Sequence, residues 1–173
     1  MGNCVGRGQF GAVYRTLNLN TGVTVAVKRI RLGGIAEAEV DHLMKDINQV
    51  KSLSHPNIVK CEGMMREDAY LNIVLEWVEN GSLGQTLKAF GKLNEKLVAG
   101  YVLKILEGLH YLHSNHVVHC NLKAANMLTT RNGNVKLSDF GTSLTLRTLE
   151  KLDVASTPNW SAFSTRCYTA GDC

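Results

Sequence analysis

The sequence has no apolar run long enough for a membrane span or a signal-peptide core, so neither a membrane protein nor a secreted one is expected. It has no CxxC pair. Its five cysteines, at positions 4, 61, 120, 167 and 173, are odd in number, which fits reduced thiols in a cytoplasmic protein better than a disulfide framework. There is also no Lys/Arg block and no basic stretch interleaved with aromatics; the net charge of +4 is spread along the chain, and nucleic acid is not an expected partner. What is present is the makeup of a folded domain, with 45% apolar and 20% charged side chains over 173 residues. Met1, Gly2, Asn3 and Cys4 invite an N-terminal lipid, but Gly6 stands where that pattern wants Ser or Thr, and the same residues serve a first strand.

That strand leads into Gly6, Arg7, Gly8, Gln9, Phe10, Gly11 and, after Ala12, Val13, a GxGxxGxV pattern. Alone it fits a dinucleotide fingerprint, a phosphate loop or an ordinary turn. The residues that follow decide: Val13 and Tyr14, a turn at Asn20, Thr21 and Gly22, then an alternating strand from Val23 to Ile30. The glycines therefore cap a β-hairpin and do not open a helix, which excludes the dinucleotide unit. At a hairpin tip, residues without Cβ let backbone N–H groups close over phosphates. Lys28 ends the tetrapeptide Val25, Ala26, Val27, Lys28, seventeen residues after Gly11.

From Ala36 to Leu53, Val40, Leu43, Met44, Ile47 and Val50 recur at helical spacing and predict a helix with one face against the sheet. The segment His55–Val59 and the apolar run 70–77 look like a fourth and a fifth strand, followed by a linker through Val78, Glu79, Asn80, Gly81 and Ser82. Asn94 to Ser114 reads as a long helix whose Val98, Val102, Ile105, Leu109 and Leu112 should form a buried stripe. His110, His113, His116 and His119 recur every third residue beside Cys120. Ser114 and Asn115 end the helix between them, so converging metal-ligand geometry is not expected.

His119, Cys120, Asn121, Leu122, Lys123, Ala124, Ala125 and Asn126 nearly spell the catalytic loop HRDLKxxN, and Asp139, Phe140 and Gly141 spell DFG. With the glycine loop and Val25–Lys28 in family order and spacing, the chain resembles the eukaryotic Ser/Thr protein kinases over positions 3 to about 162. The runs KAAN (123–126) and TPNW (157–160) point to the Ste-like group, similar to septation-initiation and epsilon-type MAP-kinase-kinase-kinase domains. The resemblance implies an α+β protein-kinase-like fold: a five-stranded antiparallel N-lobe sheet with helix C over residues 1–79, a partial, mainly helical C-lobe over 80–163, and an unassigned tail over 164–173. It implies ATP and Mg²⁺ as cofactors.

Residue by residue, the resemblance implies that Gly6, Arg7, Gly8, Gln9, Phe10 and Gly11 cover the phosphates and that Lys28 reaches them. Asp46 takes the place of the helix C glutamate that pairs with Lys28, one methylene short, with Glu39 as a substitute. Backbone groups of Glu76 and Val78 would bind adenine, Leu75 would be the gatekeeper, Ser82 would lie near the ribose, and Val13, Ala26 and Leu128 would sandwich the ring. Asn126 and Asp139 would hold Mg²⁺, and Lys123 would contact the γ-phosphate.

The departures are as informative. Asn121 occupies the position of the catalytic aspartate, and a neutral carboxamide accepts a hydrogen bond but has no useful basicity near pH 7. Cys120 replaces the arginine that receives an activation-loop phosphate. The segment Ser156–Ser164 resembles GTPxWMAPE with four letters changed, and the remainder of a kinase C-lobe, including the helix under helix E, is not expected. That would leave apolar surface for a protein partner. Three readings follow: a kinase-like ATP-binding domain that is catalytically impaired, a weakly active Ser/Thr kinase, or a fragment with little stable function.

Overall fold

Strand β1 (Asn3–Gly8) pairs antiparallel with β2 (Gly11–Leu17), and β2 with β3 (Thr24–Arg31), in a computed structural model that describes residues 2–8 and 11–140. The tight turn before β3 closes through Gly22, whose N–H donates to Asn18 O at 2.8 Å and whose φ of +69° suits a residue without Cβ. Gln9 and Phe10 at the glycine tip, Gly141, the segment Ser156–Ser164 and the tail 164–173 lie outside the described residues.

Two further strands, β4 (Cys61–Glu67) and β5 (Tyr70–Glu76), complete a five-stranded antiparallel sheet in the order β1-β2-β3-β5-β4. Helix α1 (Glu37–Lys51) lies on it, burying Val40, Leu43, Ile47 and Val50 among Ile30, Leu71 and Ile73. Acids Glu37 and Glu39 occupy its first turn and Lys51 its last, each placed favourably along the helix dipole. The fold is the expected one, with a mixed α+β architecture.

Segment 55–59 is not the fourth strand. Pro56 offers no N–H for a ladder, and the segment docks on a different sheet. Val59 N–H donates to Leu137 O at 2.9 Å and Leu137 N–H to Asn57 O at 2.8 Å, with Ile58 bridging Leu137 in parallel. Leu137 belongs to β7 (Val135–Leu137), which pairs with β6 (Met127–Thr129) in a two-stranded sheet. The buried Asn57 carboxamide reinforces the seam, donating to Asn134 Oδ1 at 2.8 Å and Val135 O at 2.9 Å.

Helices α2 (Leu83–Phe90) and α3 (Glu95–Ser114) follow the linker. The C-terminal half of α3 packs beneath β7, and Gly108 makes that approach possible: a Cβ there would meet Asn57 O at 3.0 Å and Leu137 Cδ1 at 3.1 Å. Tyr111 adds a stack on His55, with ring centroids 4.7 Å apart, and accepts Ser54 N–H on its hydroxyl at 3.0 Å. The apolar stripe is only half buried. Ile105 and Leu112 face the core, whereas Val98 and Val102 are 40% and 45% exposed.

Leu137 is fully buried where segment 57–59, α3 and β7 meet. Leu137→Ala is expected to cost about 2–5 kcal/mol. Urea unfolding should show a lower midpoint with an unchanged slope.

Candidate functional site

The sheet places Lys28 in the middle of β3, in register with Val13 on β2 and Ile73 on β5, and buries it to 7% exposure. An ammonium that deep needs an anion. Its Nζ lies 2.8 Å from Asp139 Oδ1, across 111 residues of sequence. Asp139 is held with φ of +60°, a left-handed conformation that Asp tolerates better than most residues, and its side chain is 37% exposed. Phe140, one residue on, is buried and meets the His119 ring edge-on at 6.1 Å.

Lys28 does not pair with Asp46. Among the described residues Asp46 makes no ion pair, and burial raises its carboxyl above the ordinary 3.8, opposed weakly by His42. Glu39 is not a substitute either: its carboxylate accepts Ala36 N–H at 3.2 Å and so is committed to the start of α1. The position of α1 is held at its outer end by Arg66 on β4, whose Nη2 donates to Glu37 Oε2 at 2.9 Å.

On β1, Gly6 faces Val13, Arg7 faces Ala12 and Gly8 faces Gly11. Gly11 has a backbone reason to be glycine: φ is +143°, and a Cβ would fall 2.0 Å from Arg29 O. Ala26 pairs with Leu75 across β3 and β5, so the small side chain and the expected gatekeeper share one sheet position. A cavity of about 30 Å³ behind them is lined by Lys28, Ile47, Cys61, Leu75, Asp139 and Phe140, among others.

Glu76 ends β5, Val78 is buried in the linker, and Ser82 bridges Leu128 on β6. The Ser82 hydroxyl accepts Gln85 N–H at 3.2 Å as the N-cap of α2. Capping is a role the sequence reading overlooked, although Ser82 and Gln85 have the spacing of a capping box.

The loop 119–126 is built by backbone contacts. Asn121 N–H donates to His119 Nδ1 at 3.3 Å, and Asn126 Nδ2 donates to Asn121 O at 2.8 Å. Among the described residues the Asn121 carboxamide makes no hydrogen bond. Accepting from Asn121 requires the tautomer with its proton on Nε2, and burial, which pushes His119 below its ordinary 6.5, favours the neutral ring. Asn126 in turn accepts Ser138 N–H at 2.9 Å and Ser138 Oγ–H at 3.1 Å on its carbonyl, which brings it beside the residue preceding Asp139. Lys123 is exposed, and Cys120 is held at φ of +57°.

Asn126 Oδ1 and the Asp139 carboxylate, which also accepts from Lys28, are hard oxygen donors on neighbouring backbone, the donor type Mg²⁺ takes. The strands of the glycine hairpin, a buried lysine ion-paired with an aspartate, and an Asn-bearing loop tied to the residue before that aspartate are thus brought together.

These features define a protein kinase domain, and the Protein kinase domain profile matches residues 1–170. The chain belongs to that family, among Ser/Thr kinases with Ste-like relatives. It is 48% identical over 162 residues to cytokinesis protein sepH of Emericella nidulans, covering 94% of this chain and 12% of that protein. Cell division control protein 7 of Schizosaccharomyces pombe is 45% identical (94% of this chain, 15% of that one), and MAP3K epsilon protein kinase 1 of Arabidopsis thaliana 43% (94% and 12%). The chain thus spans less than a sixth of the length of these curated relatives. Among solved structures, Rad53 1-466 in complex with AMP-PNP superimposes with a TM-score of 0.75 at 29% identity, covering 82% of this chain and 38% of that one.

Asp46 carries a burial penalty without an ion pair. Its folded-state pKa is raised above 3.8, so the penalty is absent at pH values below 3.8 and fully present above the raised value. Asp46→Asn should therefore raise Tm at pH 7, and the gain should shrink as pH falls toward 3.8, as calorimetry at several pH values would register.

Proposed function

We propose that this chain is an ATP-binding kinase domain in which phosphoryl transfer is strongly impaired. One observation carries the reading: Asn121 lies in a catalytic loop otherwise held in place through its backbone, beneath an assembled Lys28–Asp139 pair. The pair keeps a positive and a negative group side by side, the positive one buried. A bound nucleotide would draw on both, Lys28 facing its phosphates and Asp139 with Asn126 holding its metal. Asp139 and Asn126 would hold Mg²⁺, which would supply positive charge to offset that of the phosphates.

The adenine contacts belong to the same proposal. Glu76 and Val78 would offer backbone groups, Ala26, Val13 and Leu128 the apolar walls, Ser82 would lie toward the ribose, and Gly6 to Gly11 would cover the phosphates. Lys123, exposed in the loop, would meet the γ-phosphate.

What is missing is proton acceptance. Asn121 can orient a hydroxyl but cannot take its proton, and a general base contributes about 10²- to 10⁴-fold, or roughly 3 to 5 kcal/mol of barrier. A second reading, weak residual transfer, is favoured by the loose transition state of phosphoryl transfer, which asks more of positioning than of a base.

MgATP is expected to raise Tm in proportion to RT ln(1 + [L]/Kd), and Lys28→Met to abolish the shift. A cooperative melt with no shift in the unmodified protein would overturn nucleotide binding; no cooperative melt at all would favour the fragment reading. Asn121→Asp should raise phosphate transfer to protein by about 10²- to 10⁴-fold. No gain would show that the block lies elsewhere, and transfer by the unmodified chain that Asp139→Asn removes would favour the second reading.

A further inference from the structure

The side chain of Glu76 makes contacts that adenine binding by its backbone does not require. Its Oε1 accepts Lys60 N–H at 2.7 Å and the Lys136 ammonium at 2.8 Å, while Glu76 N–H donates to Lys60 O at 2.9 Å. Lys136 Nζ lies also 3.4 Å from Ile58 O. One ammonium thus joins the end of β5, the segment leading into β4, and β7, three residues before Asp139.

The pair lines an open groove of about 390 Å³ behind the linker, with Trp77, Val78, Thr130 and Arg131, and none of the groove residues belongs to the Lys28–Asp139 cluster. With side chains 16% and 27% exposed, the ions are shielded enough for the contact to outweigh an ordinary surface pair.

We propose that Glu76 and Lys136 are positioning residues for the nucleotide: they brace the linker from behind and set the opening between the five-stranded sheet and the β6–β7 hairpin. The proposal rests on the reading of the cleft as an ATP site. Without Lys136, Glu76 stays bound to Lys60 but loses its tie to β7. The linker keeps its direct bonds to β6, Asn80 N–H to Thr129 O at 3.2 Å and Thr129 N–H to Gly81 O at 2.9 Å, so the loosening falls on the end of β5 and on Val78, ahead of those bonds.

The test uses the full chain with a fluorescent ATP analogue and Mg²⁺, together with amide hydrogen exchange. Lys136→Met should weaken nucleotide binding roughly three- to tenfold, less than the full worth of a charge-assisted hydrogen bond because the lost contact acts on the linker and not on the nucleotide itself. It should speed exchange at Glu76 and Val78 while leaving Leu43 and Ile47 in α1 unchanged. Lys136→Arg, which keeps the charge and the donors, should restore both. Binding within twofold of the unmodified chain, or failure of Lys136→Arg to rescue, overturns the proposal. If the unmodified chain binds no nucleotide, the ATP reading falls, and exchange still decides the brace: faster linker exchange in Lys136→Met supports it and unchanged exchange overturns it.

Discussion

The seating of β7 on segment 57–59 is the constraint from which the site follows. Leu137 gives its N–H to Asn57 O and its carbonyl to Val59 N–H, so the strand cannot slide by a residue without leaving both groups unpaired in the interior. That register fixes Asp139, two residues on, against Lys28. It also fixes Ser138 against the Asn126 carbonyl, and through Asn126 Nδ2 the carbonyl of Asn121. Each link is short range; together they carry order from the buried edge of α3 to the Lys28–Asp139 pair.

This arrangement explains why Lys28 takes Asp139 and not Asp46. Asp139 is delivered by a strand whose position is set by paired backbone groups, whereas Asp46 rides on a helix held by apolar packing and by Arg66 at its far end. A buried ammonium needs a near anion, and the carboxylate that arrives without moving a helix supplies it. Asp46 is left half-buried with its charge form disfavoured.

Much of the fold was legible because local chemistry and tertiary role coincide. Gly22 turns the hairpin, the 40-43-47-50 stripe meets the sheet, and Val135–Leu137 alternates its burial as a strand should. Segment 55–59 was misread because β-rich composition near a proline does not say which sheet will accept it. The α3 stripe was overread for the same reason: spacing defines a face, but only the location of β7 and Gly108 decides which half of it is covered. At the site, Lys28, Asn126 and Asp139 stood out through motif spacing, whereas the roles of Asn57, Lys136 and the Ser82 hydroxyl depend on neighbours far away in sequence.

The loop around Asn121 shows how chemistry and architecture separate. Its position depends on a backbone N–H bound to His119 and a carbonyl bound to Asn126, both indifferent to whether the side chain ends in a carboxylate or a carboxamide. Exchanging one for the other therefore perturbs no contact that holds the loop, the β7 register or the Lys28–Asp139 pair. The two side chains are nearly equal in volume and differ in charge and basicity, so on the proposed reading the effect falls on the step in which a hydroxyl must give up its proton. On that reading the cleft loses catalytic power while its backbone-held geometry, and with it the proposed nucleotide site, is kept.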